Sequence, residues 1–343
     1  MLYLHTQHLK QANLSWNTAI GLMAEAIESM GRNHFSQPIK PYLEFENPSN
    51  RIIAMPAYLG QPIGACGLKW IASFPENLEK GIQRAHSNTI LNDAETGKPL
   101  AFFNTAYISG VRTAAVTGMV IRKLMANRDW QDVKVGIAGF GPIGQLHLAM
   151  VLDLLGPQLG KVSLFDLRPI DPSLIPQDAP CHIEVADRWE QAYADADIFM
   201  TCTVAKSRWI DREPKPGSLQ LNVSLRDYHA AIAMGADVTL VDDWDEVCRA
   251  NTDIEIMQRD FGLSKADTLD LVTLFRENHP LPKPDETVMF HPMGLAIFDV
   301  ILAQAYYRIC QRDGIGLTLP EGDDGDSPKA ASPRENPSAM ALS

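Results

Sequence analysis

Hydrophobic and polar positions alternate regularly through the middle of the chain. Six short β-rich segments, at 133–138, 161–166, 182–186, 198–204, 219–223 and 238–242, are separated by stretches that suit helices. The apolar segment 145–155 is typical of a buried helix, which Gly156 and Pro157 end. Strands that alternate with helices predict a parallel sheet covered on both faces. The pattern therefore predicts a Rossmann-type α/β domain over residues 128–298.

The segments on either side follow a different pattern. A helix is predicted over 16–30, short strand-like runs such as 51–55 follow among several Pro and Gly, and 294–312 has apolar residues at helical spacing. We expect residues 1–127 and 299–320 to form one discontinuous α+β domain, into which the parallel-sheet domain is inserted. Residues 321–343 carry almost no large apolar side chain, so we expect a disordered tail there.

Length and charge exclude several classes of protein. The 343 residues, 45% of them hydrophobic, suit two globular domains with proper cores. The net charge is −12 and no run of Lys or Arg offsets it, which argues against a nucleic-acid partner. No segment approaches the roughly 18 apolar residues of a membrane span, and residues 1–10 lack the apolar centre of a signal peptide. We expect a cytoplasmic protein that does not enter a membrane.

The cysteines do not predict a disulfide framework or a metal site. The sequence contains Cys66, Cys181, Cys202, Cys248 and Cys310, which are odd in number, far apart and without a Cys-x-x-Cys pair. We expect these thiols to be reduced and mostly buried, and we expect no bound metal.

A glycine-rich loop is the sharpest local motif. The predicted strand 133–138 runs into Gly139-Phe-Gly141-Pro-Ile-Gly144 and then into a predicted helix. Glycines at these positions allow a tight turn, close approach of a pyrophosphate and close packing of helix on strand. Asp166 ends the next predicted strand, where a carboxylate can bind the ribose hydroxyls of NAD and repel the 2′-phosphate of NADP. The loop therefore predicts NAD binding, while Arg168 keeps NADP open and a purely structural turn is the alternative.

Three cations stand in apolar surroundings before this loop. Arg51, Lys69 and Arg112 are each expensive to bury unless an anion meets them, and together they indicate an anion pocket. Alternatively, each side chain reaches solvent or pairs with a nearby acid. Asp227 follows a predicted strand at the sheet edge where such folds hold ligands, which suits a general acid or base. It could equally cap the next helix.

Several longer strings resemble one known family. They are Gln37-Pro-Ile-Lys-Pro-Tyr42, Asn50-Arg-Ile-Ile-Ala-Met-Pro-Ala-Tyr58, Gly67-Leu-Lys-Trp-Ile-Ala-Ser-Phe-Pro-Glu-Asn77, Leu91-Asn-Asp-Ala-Glu-Thr-Gly-Lys-Pro99 and Arg112-Thr-Ala-Ala115. Over residues 3–315 the chain resembles the ornithine cyclodeaminase/μ-crystallin family. Within it, the resemblance favours the branch that cleaves N-(2-amino-2-carboxyethyl)-L-glutamate oxidatively, which gives 2-oxoglutarate and the siderophore or antibiotic precursor 2,3-diaminopropionate.

The resemblance implies a homodimer joined through the N-terminal part, with the substrate between that part and an NAD domain. It places substrate binding on Arg51, Lys69 and Arg112, and catalysis on Asp227 with Lys69. The implied cofactor contacts are Arg112, Thr113, Gly139, Gly141, Pro142, Ile143, Gly144, Asp166, Thr203, Asn222, Ser224 and Leu225.

Two departures from the family's patterns bear on the substrate. Cyclodeaminases carry an Asp-x-Pro-Gly-Lys string where this chain reads Asp227-Tyr-His229, and the branch tends to carry a glutamate near Phe103-Asn-Thr105. Cyclodeamination of ornithine and reduction of pyrroline-2-carboxylate are alternative reactions on the same fold. A binding protein similar to μ-crystallin, without turnover, is the alternative from another class.

Overall fold

The computed structural model describes residues 1–320, which form two β-sheets with helices packed around them. The strands are β1 (Leu2–His5), β2 (Phe35–Ser36), β3 (Tyr42–Glu44), β4 (Arg51–Leu59), β5 (Ala65–Ser73), β6 (Ala85–Asp93), β7 (Pro99–Asn104), β8 (Val133–Ala138), β9 (Leu159–Phe165), β10 (His182–Val185), β11 (Ile198–Thr201), β12 (Leu219–Leu221), β13 (Val238–Val241), β14 (Leu269–Asp270), β15 (Val288–His291) and β16 (Leu317–Thr318). The helices are α1 (Thr6–Ala12), α2 (Trp16–Gly31), α3 (Tyr107–Leu124), α4 (Pro142–Leu155), α5 (Trp189–Tyr193), α6 (Ala230–Ala233), α7 (Trp244–Val247), α8 (Asp253–Phe261), α9 (Leu271–Phe275) and α10 (Ala296–Asp313).

The second sheet is parallel throughout, in the order β10-β9-β8-β11-β12-β15-β13-β14. The chain runs outward from β8 to β10 and then returns to place β11 on the other side of β8. The carboxyl ends of β8 and β11 therefore form the point where strand order reverses, and open α/β sheets bind ligands at this point. The glycine-rich loop leaves β8 here.

The first sheet is mixed, in the order β16-β1-β7-β6-β5-β4, with β2 and β3 both pairing with β4. Side chains alternate across β4, so Met55, Ala57 and Leu59 are buried while Tyr58 lies on the other face and is 39% exposed. Helix α10 packs on β4 and β5 and against α2 and α3. Helix α3 also packs against α4, which connects the first sheet's helical layer to the glycine-rich loop.

The α/β class with a parallel sheet is confirmed, as are the helices predicted over 16–30, 145–155 and 294–312. Several strands end earlier than predicted, because residues 202–204 and 222–223 leave the sheet to build loops at its carboxyl edge. Strands β14 and β15 were not predicted from the sequence. The division at residues 127 and 299 stays a prediction, and the proposed tail lies outside the described residues.

The structure agrees in part with the prediction of reduced, mostly buried cysteines. Cys310 is buried, but Cys66, Cys181, Cys202 and Cys248 are only partly so, although all five are free thiols. Within residues 1–320, no helix is both long and apolar enough to span a membrane, and no group of His, Cys, Asp and Glu side chains is arranged to bind a metal.

Candidate functional site

The glycine-rich loop leaves open space at its centre. Gly139 has φ +90, and a Cβ there would lie 2.6 Å from the carbonyl oxygen of Cys202 on the strand-end loop of β11. A Cβ on Gly144 would overlap the carbonyl oxygen of Gly139, so helix and strand are in close contact. At Gly141, in contrast, a Cβ would meet nothing within 4 Å. Because no side chain caps α4 at Gly141, the first turn's N–H groups and this space suit a phosphate.

Asp166 lies directly behind the loop. Its carboxylate accepts hydrogen bonds from the backbone N–H groups of Phe140, at 2.8 Å, and Arg168, at 2.9 Å. The Arg168 Nε atom lies 3.6 Å from the same carboxylate, and the Arg168 side chain is 71% exposed. The acid predicted to contact a ribose is therefore connected to the glycine-rich loop, with the guanidinium at its side.

Asp227 is fully buried beside the carboxyl ends of β11 and β12. Its carboxylate accepts hydrogen bonds from Thr203 Oγ1 at 2.6 Å, from Trp209 Nε1 at 2.7 Å, and from Ser224 Oγ. The structure thus joins Asp227 to two of the cofactor contacts that the resemblance implied, Thr203 and Ser224. His229 occupies the N-cap position of helix α6, without a capping side-chain hydrogen bond, so Asp227 is not the helix cap that the sequence left open.

The turn before Asp227 is held by Asn222. The Asn222 Oδ1 atom accepts from the Leu225 N–H, and its Nδ2 atom donates to Asp253 at 2.8 Å. Leu225 has φ +66, a strained conformation for a residue with a side chain. The four-residue turn that precedes Asp227 is therefore fixed by buried polar contacts.

Lys69 and Arg112 meet at a buried acid that the sequence analysis missed. The Lys69 Nζ atom lies 2.8 Å from Asp299 Oδ2, and the Arg112 Nε atom lies 3.2 Å from Asp299 Oδ1. Lys69 comes from β5, Arg112 from α3 and Asp299 from α10. Asp299 is fully buried, and Lys69 is 1% exposed. Thr113, the next residue of α3, donates through Oγ1 to the Ser109 carbonyl oxygen.

Burial sets the protonation of this cluster. Removal from water lowers the pKa of Lys69 to about 7, although Asp299 opposes the shift, while the Arg112 charge adds to it. Burial alone would raise the pKa of Asp299, but the charges of Arg112 and Lys69 outweigh it, and the pKa lies below its usual value. The cluster therefore combines a fixed carboxylate with a lysine that can exchange a proton near neutral pH.

A second buried cation extends the cluster toward the parallel sheet. The Lys40 Nζ atom donates to the Gly294 carbonyl oxygen at 2.8 Å and lies 3.5 Å from Glu246. The Gly294 N–H donates to Asp242 Oδ2, and a Cβ on Gly294, which has φ +84, would overlap the Arg112 guanidinium. One glycine thus contacts charged groups of both halves of the chain.

Arg51 is separate from this cluster. On the ladder between β4 and β5, Met55 lies opposite Lys69, and Arg51 lies four residues before Met55 on the same face. At about 3.3 Å per residue, Arg51 is roughly 13 Å farther along the sheet. Its guanidinium lies 5.7 Å from the centre of the Tyr42 ring. Of the three predicted substrate cations, the structure brings two into contact and places the third along the same face.

Within residues 1–320, no hydrogen bond or ion pair joins Asp227 to the Lys69 cluster. The two proposed catalytic groups therefore lie in separate hydrogen-bonded clusters. Asp299 had a visible signal, since it is an acid inside the apolar run 295–303. The local sequence gave no signal for the contacts of Trp209, Lys40 and Glu246, because each contact joins chain segments that are far apart in sequence.

Comparisons with known proteins find a family and a relative of similar sequence. Residues 3–218 match the ornithine cyclodeaminase/mu-crystallin family. The chain is 31% identical to N-((2S)-2-amino-2-carboxyethyl)-L-glutamate dehydrogenase of Staphylococcus aureus, over 93% of this chain and 98% of the relative.

Solved structures share the fold. Delta(1)-pyrroline-2-carboxylate reductase of Thermococcus litoralis, in complex with NADH and L-proline, is 22% identical with a TM-score of 0.82, over 93% of this chain and all of that chain. An archaeal alanine dehydrogenase dimer with bound NAD is 23% identical with a TM-score of 0.78, over 93% of this chain and 99% of that chain.

Proposed function

Because the chain belongs to the ornithine cyclodeaminase/mu-crystallin family, we propose that it is an NAD-dependent oxidoreductase that acts on the CH–NH bond of an amino acid. The specific reaction we propose is oxidative cleavage of N-(2-amino-2-carboxyethyl)-L-glutamate to 2-oxoglutarate and 2,3-diaminopropionate. It consumes one water and one NAD and yields NADH. The 31% identical relative from Staphylococcus aureus, whose name includes this substrate, supports that choice.

One observation carries the proposal: Arg112 of the cation cluster lies on a helix, α3, that is in direct contact with the helix that follows the glycine-rich loop. A Cβ on Gly110 of α3 would lie 2.5 Å from Leu146 of α4, so α3 packs closely against the helix that starts at Gly141. Arg112 lies two residues after Gly110, on the helix that packs against the proposed cofactor-binding helix. A carboxylate held by Arg112 is thereby kept in a fixed relation to a cofactor held by α4.

The residues present fit NAD. The open space at Gly141 and the uncapped first turn of α4, with Ile143 and Gly144, would hold the pyrophosphate, and Asp166 would bind the adenosine ribose. Thr203 and the turn at 222–225, which lie at the same sheet edge, would border the nicotinamide. When bound, NAD would accept a hydride from the α-carbon of the substrate's glutamate portion.

The protein's own groups position the substrate and move protons. Arg112 and Lys69 bind the α-carboxylate, which adds a second anion to the cluster that contains Asp299. Water must then attack the oxidised carbon, and Lys69 Nζ, with its pKa near 7, takes the proton from that water. Asp227, which accepts from Thr203, Trp209 and Ser224, is proposed to take the remaining proton of the resulting hydroxyl group and to pass it to the departing amine nitrogen.

We propose a homodimer in which the first sheet of one copy faces that of the other. Seven of the fourteen large hydrophobic side chains that are exposed within residues 1–320 fall between positions 39 and 82. Tyr58 and Trp70 lie on the same outer face of β4 and β5, and each is 39% exposed. An exposed apolar face of this kind suits contact with a second copy.

The assay for NADH at 340 nm tests the reaction. Purified protein with NAD and N-(2-amino-2-carboxyethyl)-L-glutamate should produce NADH and 2,3-diaminopropionate in equal amounts. Absence of NADH, under conditions where NAD binding is demonstrated, would exclude the specific reaction. Release of ammonia from ornithine without net NADH would indicate cyclodeamination instead, and oxidation of NADH with pyrroline-2-carboxylate would indicate an imino-acid reductase.

The variant Asp227→Asn tests the proposed catalytic acid. We expect kcat to fall by about 10²- to 10⁴-fold because proton transfer to the amine is lost. NAD affinity should remain within twofold of wild type, measured by fluorescence titration. Asp178→Asn, at an exposed position, is the control. Preserved turnover in Asp227→Asn would remove this residue from the mechanism.

A further inference from the structure

Three arginines near the proposed site form no ion pair. Lys69, Arg112, Lys40, Arg249 and Arg208 each pair with a buried acid. In the part of the chain that the structure describes, Arg51, Arg84 and Arg226 form no ion pair with any carboxylate. Each of the three is partly buried. Glu44 lies opposite Arg51 on the neighbouring strand, but Glu44 is exposed and does not pair with it.

The three arginines occupy one region where the two sheets meet. Arg51 lies opposite Ser73 on the β4–β5 ladder, and Arg84 donates through Nη1 to Ser73 Oγ at 3.2 Å. Arg226, from the loop after β12, donates through Nε and Nη2 to the carbonyl oxygen of Ala250.

The ring of Tyr42 connects these two groups. The guanidinium of Arg249, the residue before Ala250, lies 4.9 Å from the centre of the Tyr42 ring. The guanidinium of Arg51, from the first sheet, lies 5.7 Å from the same ring centre. The first and second sheets therefore both contribute cations to one place.

The positive charges of Arg51, Arg84 and Arg226 repel one another in the absence of a bound anion. Burial lowers the pKa of Arg84, and the positive charge of Arg51 lowers it further. Burial and then the Arg51 charge also lower the pKa of Arg226, so Arg51 is close enough to repel both guanidinium groups. The Arg51 Nε atom is buried and has no hydrogen-bond partner. Neighbouring cations with an unused donor in a partly buried place are typical of an anion site.

We propose that Arg51, Arg84 and Arg226 bind the carboxylates of the substrate that lie beyond its α-carboxylate, and thereby select an amino acid with two or three carboxylates. The inference rests on the proposed function, with the α-carboxylate at Lys69 and Arg112. The roughly 13 Å between Lys69 and Arg51 is a spacing of backbone positions along the sheet, and two long side chains on one face can bring their charged ends to carboxylates of a single substrate that lie a few bonds apart. Alanine and proline, each with one carboxylate, leave this three-arginine site empty.

Binding without turnover tests the selection. Protein saturated with NADH is titrated by calorimetry with N-(2-amino-2-carboxyethyl)-L-glutamate and with L-glutamate, for wild type, Arg84→Gln, Arg226→Gln and the exposed control Arg259→Gln. We expect Kd for the tricarboxylate to rise roughly 10- to 100-fold in the first two variants, the usual effect of losing a charge-assisted hydrogen bond. Arg84→Lys should recover part of the loss because it keeps the charge.

The comparison of the two ligands separates recognition from structural damage. The Arg84→Gln and Arg226→Gln variants should lose more affinity for the tricarboxylate than for L-glutamate, which has one carboxylate fewer. Equal losses for both ligands, or none, would overturn the three-arginine site. Tight tricarboxylate binding in wild type without NADH formation would instead overturn the proposed reaction and leave the carboxylate site standing. Melting temperatures and NADH affinities must match wild type for the comparison to count.

Discussion

Lys69 is the residue whose chemistry depends most on its surroundings. An exposed lysine carries its charge at all physiological pH values, but removal from water lowers the pKa of Lys69 to about 7. The charge of Asp299 opposes this decrease in the pKa of Lys69, whereas the charge of Arg112 adds to it. The side chain is therefore able both to bind a carboxylate in its charged form and to accept a proton in its neutral form.

This property predicts a pH dependence. If neutral Lys69 takes the proton from water, kcat/KM rises with pH through about 7, because only the deprotonated amine can act and kcat/KM reports the free enzyme. Asp299→Asn removes the charge that raises the pKa of Lys69, so the midpoint should move to lower pH. Lys69→Arg should lose this rise along with most turnover. The pH profile of kcat/KM is measured from pH 5.5 to 9, with the exposed Lys265→Arg as control. A midpoint that Asp299→Asn leaves in place would contradict the assignment.

The sequence identified the cations but not their partner. Lys69 and Arg112 stood out because a cation in an apolar run needs an explanation, and this reasoning works on local sequence. Their shared acid lies 187 residues beyond Arg112, and only the packing of α10 on β5 and α3 brings it there. The same limit applies to Arg84 and Arg226, which do not stand within continuous apolar runs and were not singled out.

At the scale of elements, the turn from β8 to α4 contains glycines with two different roles. Gly144 is needed for packing, because a Cβ there would overlap the Gly139 carbonyl oxygen. Gly141 has φ −72 and ψ −170, which any residue adopts, and its missing side chain leaves space free. The motif was predictable from sequence because its glycines lie within six residues. The ends of β11 and β12 were not predictable from sequence, because side-chain contacts from distant segments determine where those strands end.

These roles predict opposite outcomes for two alanine variants. Gly141→Ala should keep wild-type stability but weaken NAD binding roughly tenfold or more, since the Cβ enters the space proposed for the pyrophosphate. Gly144→Ala should lower the free energy of unfolding by about 1–3 kcal/mol, because backbone must shift. Urea unfolding and fluorescence titration with NADH measure the two effects. A Gly141→Ala protein with unchanged NADH affinity would place the phosphates elsewhere.

At the scale of the molecule, the first sheet has one face covered by helices and one face largely bare. Helix α10 covers the inner face, where Met55 and Ala57 are buried. The outer face presents Tyr58 and Trp70. The sequence predicted association through this part by resemblance alone, since the exposure of alternate residues appears only once the strand register is known.

A charge on the outer face should separate the two copies. Trp70→Glu is expected to shift the protein from dimer to monomer in light scattering at micromolar concentration, because the carboxylate would be buried against apolar side chains. Phe261→Glu, at a 50% exposed position on the second sheet's side of the molecule, is the matched control. A monomeric wild type, or a Trp70→Glu protein that remains dimeric, would show that this face is not the contact.

Gly294 makes the two halves of the molecule mechanically dependent on each other. Its amide N–H is tied to the parallel sheet through Asp242, its carbonyl to the N-terminal segment through Lys40, and its bare Cα lies against Arg112. A rotation of one sheet relative to the other must therefore pivot about this residue or break one of its contacts. Such a rotation would also move Arg112, so the binding of an incoming carboxylate and the relative orientation of the two halves change together.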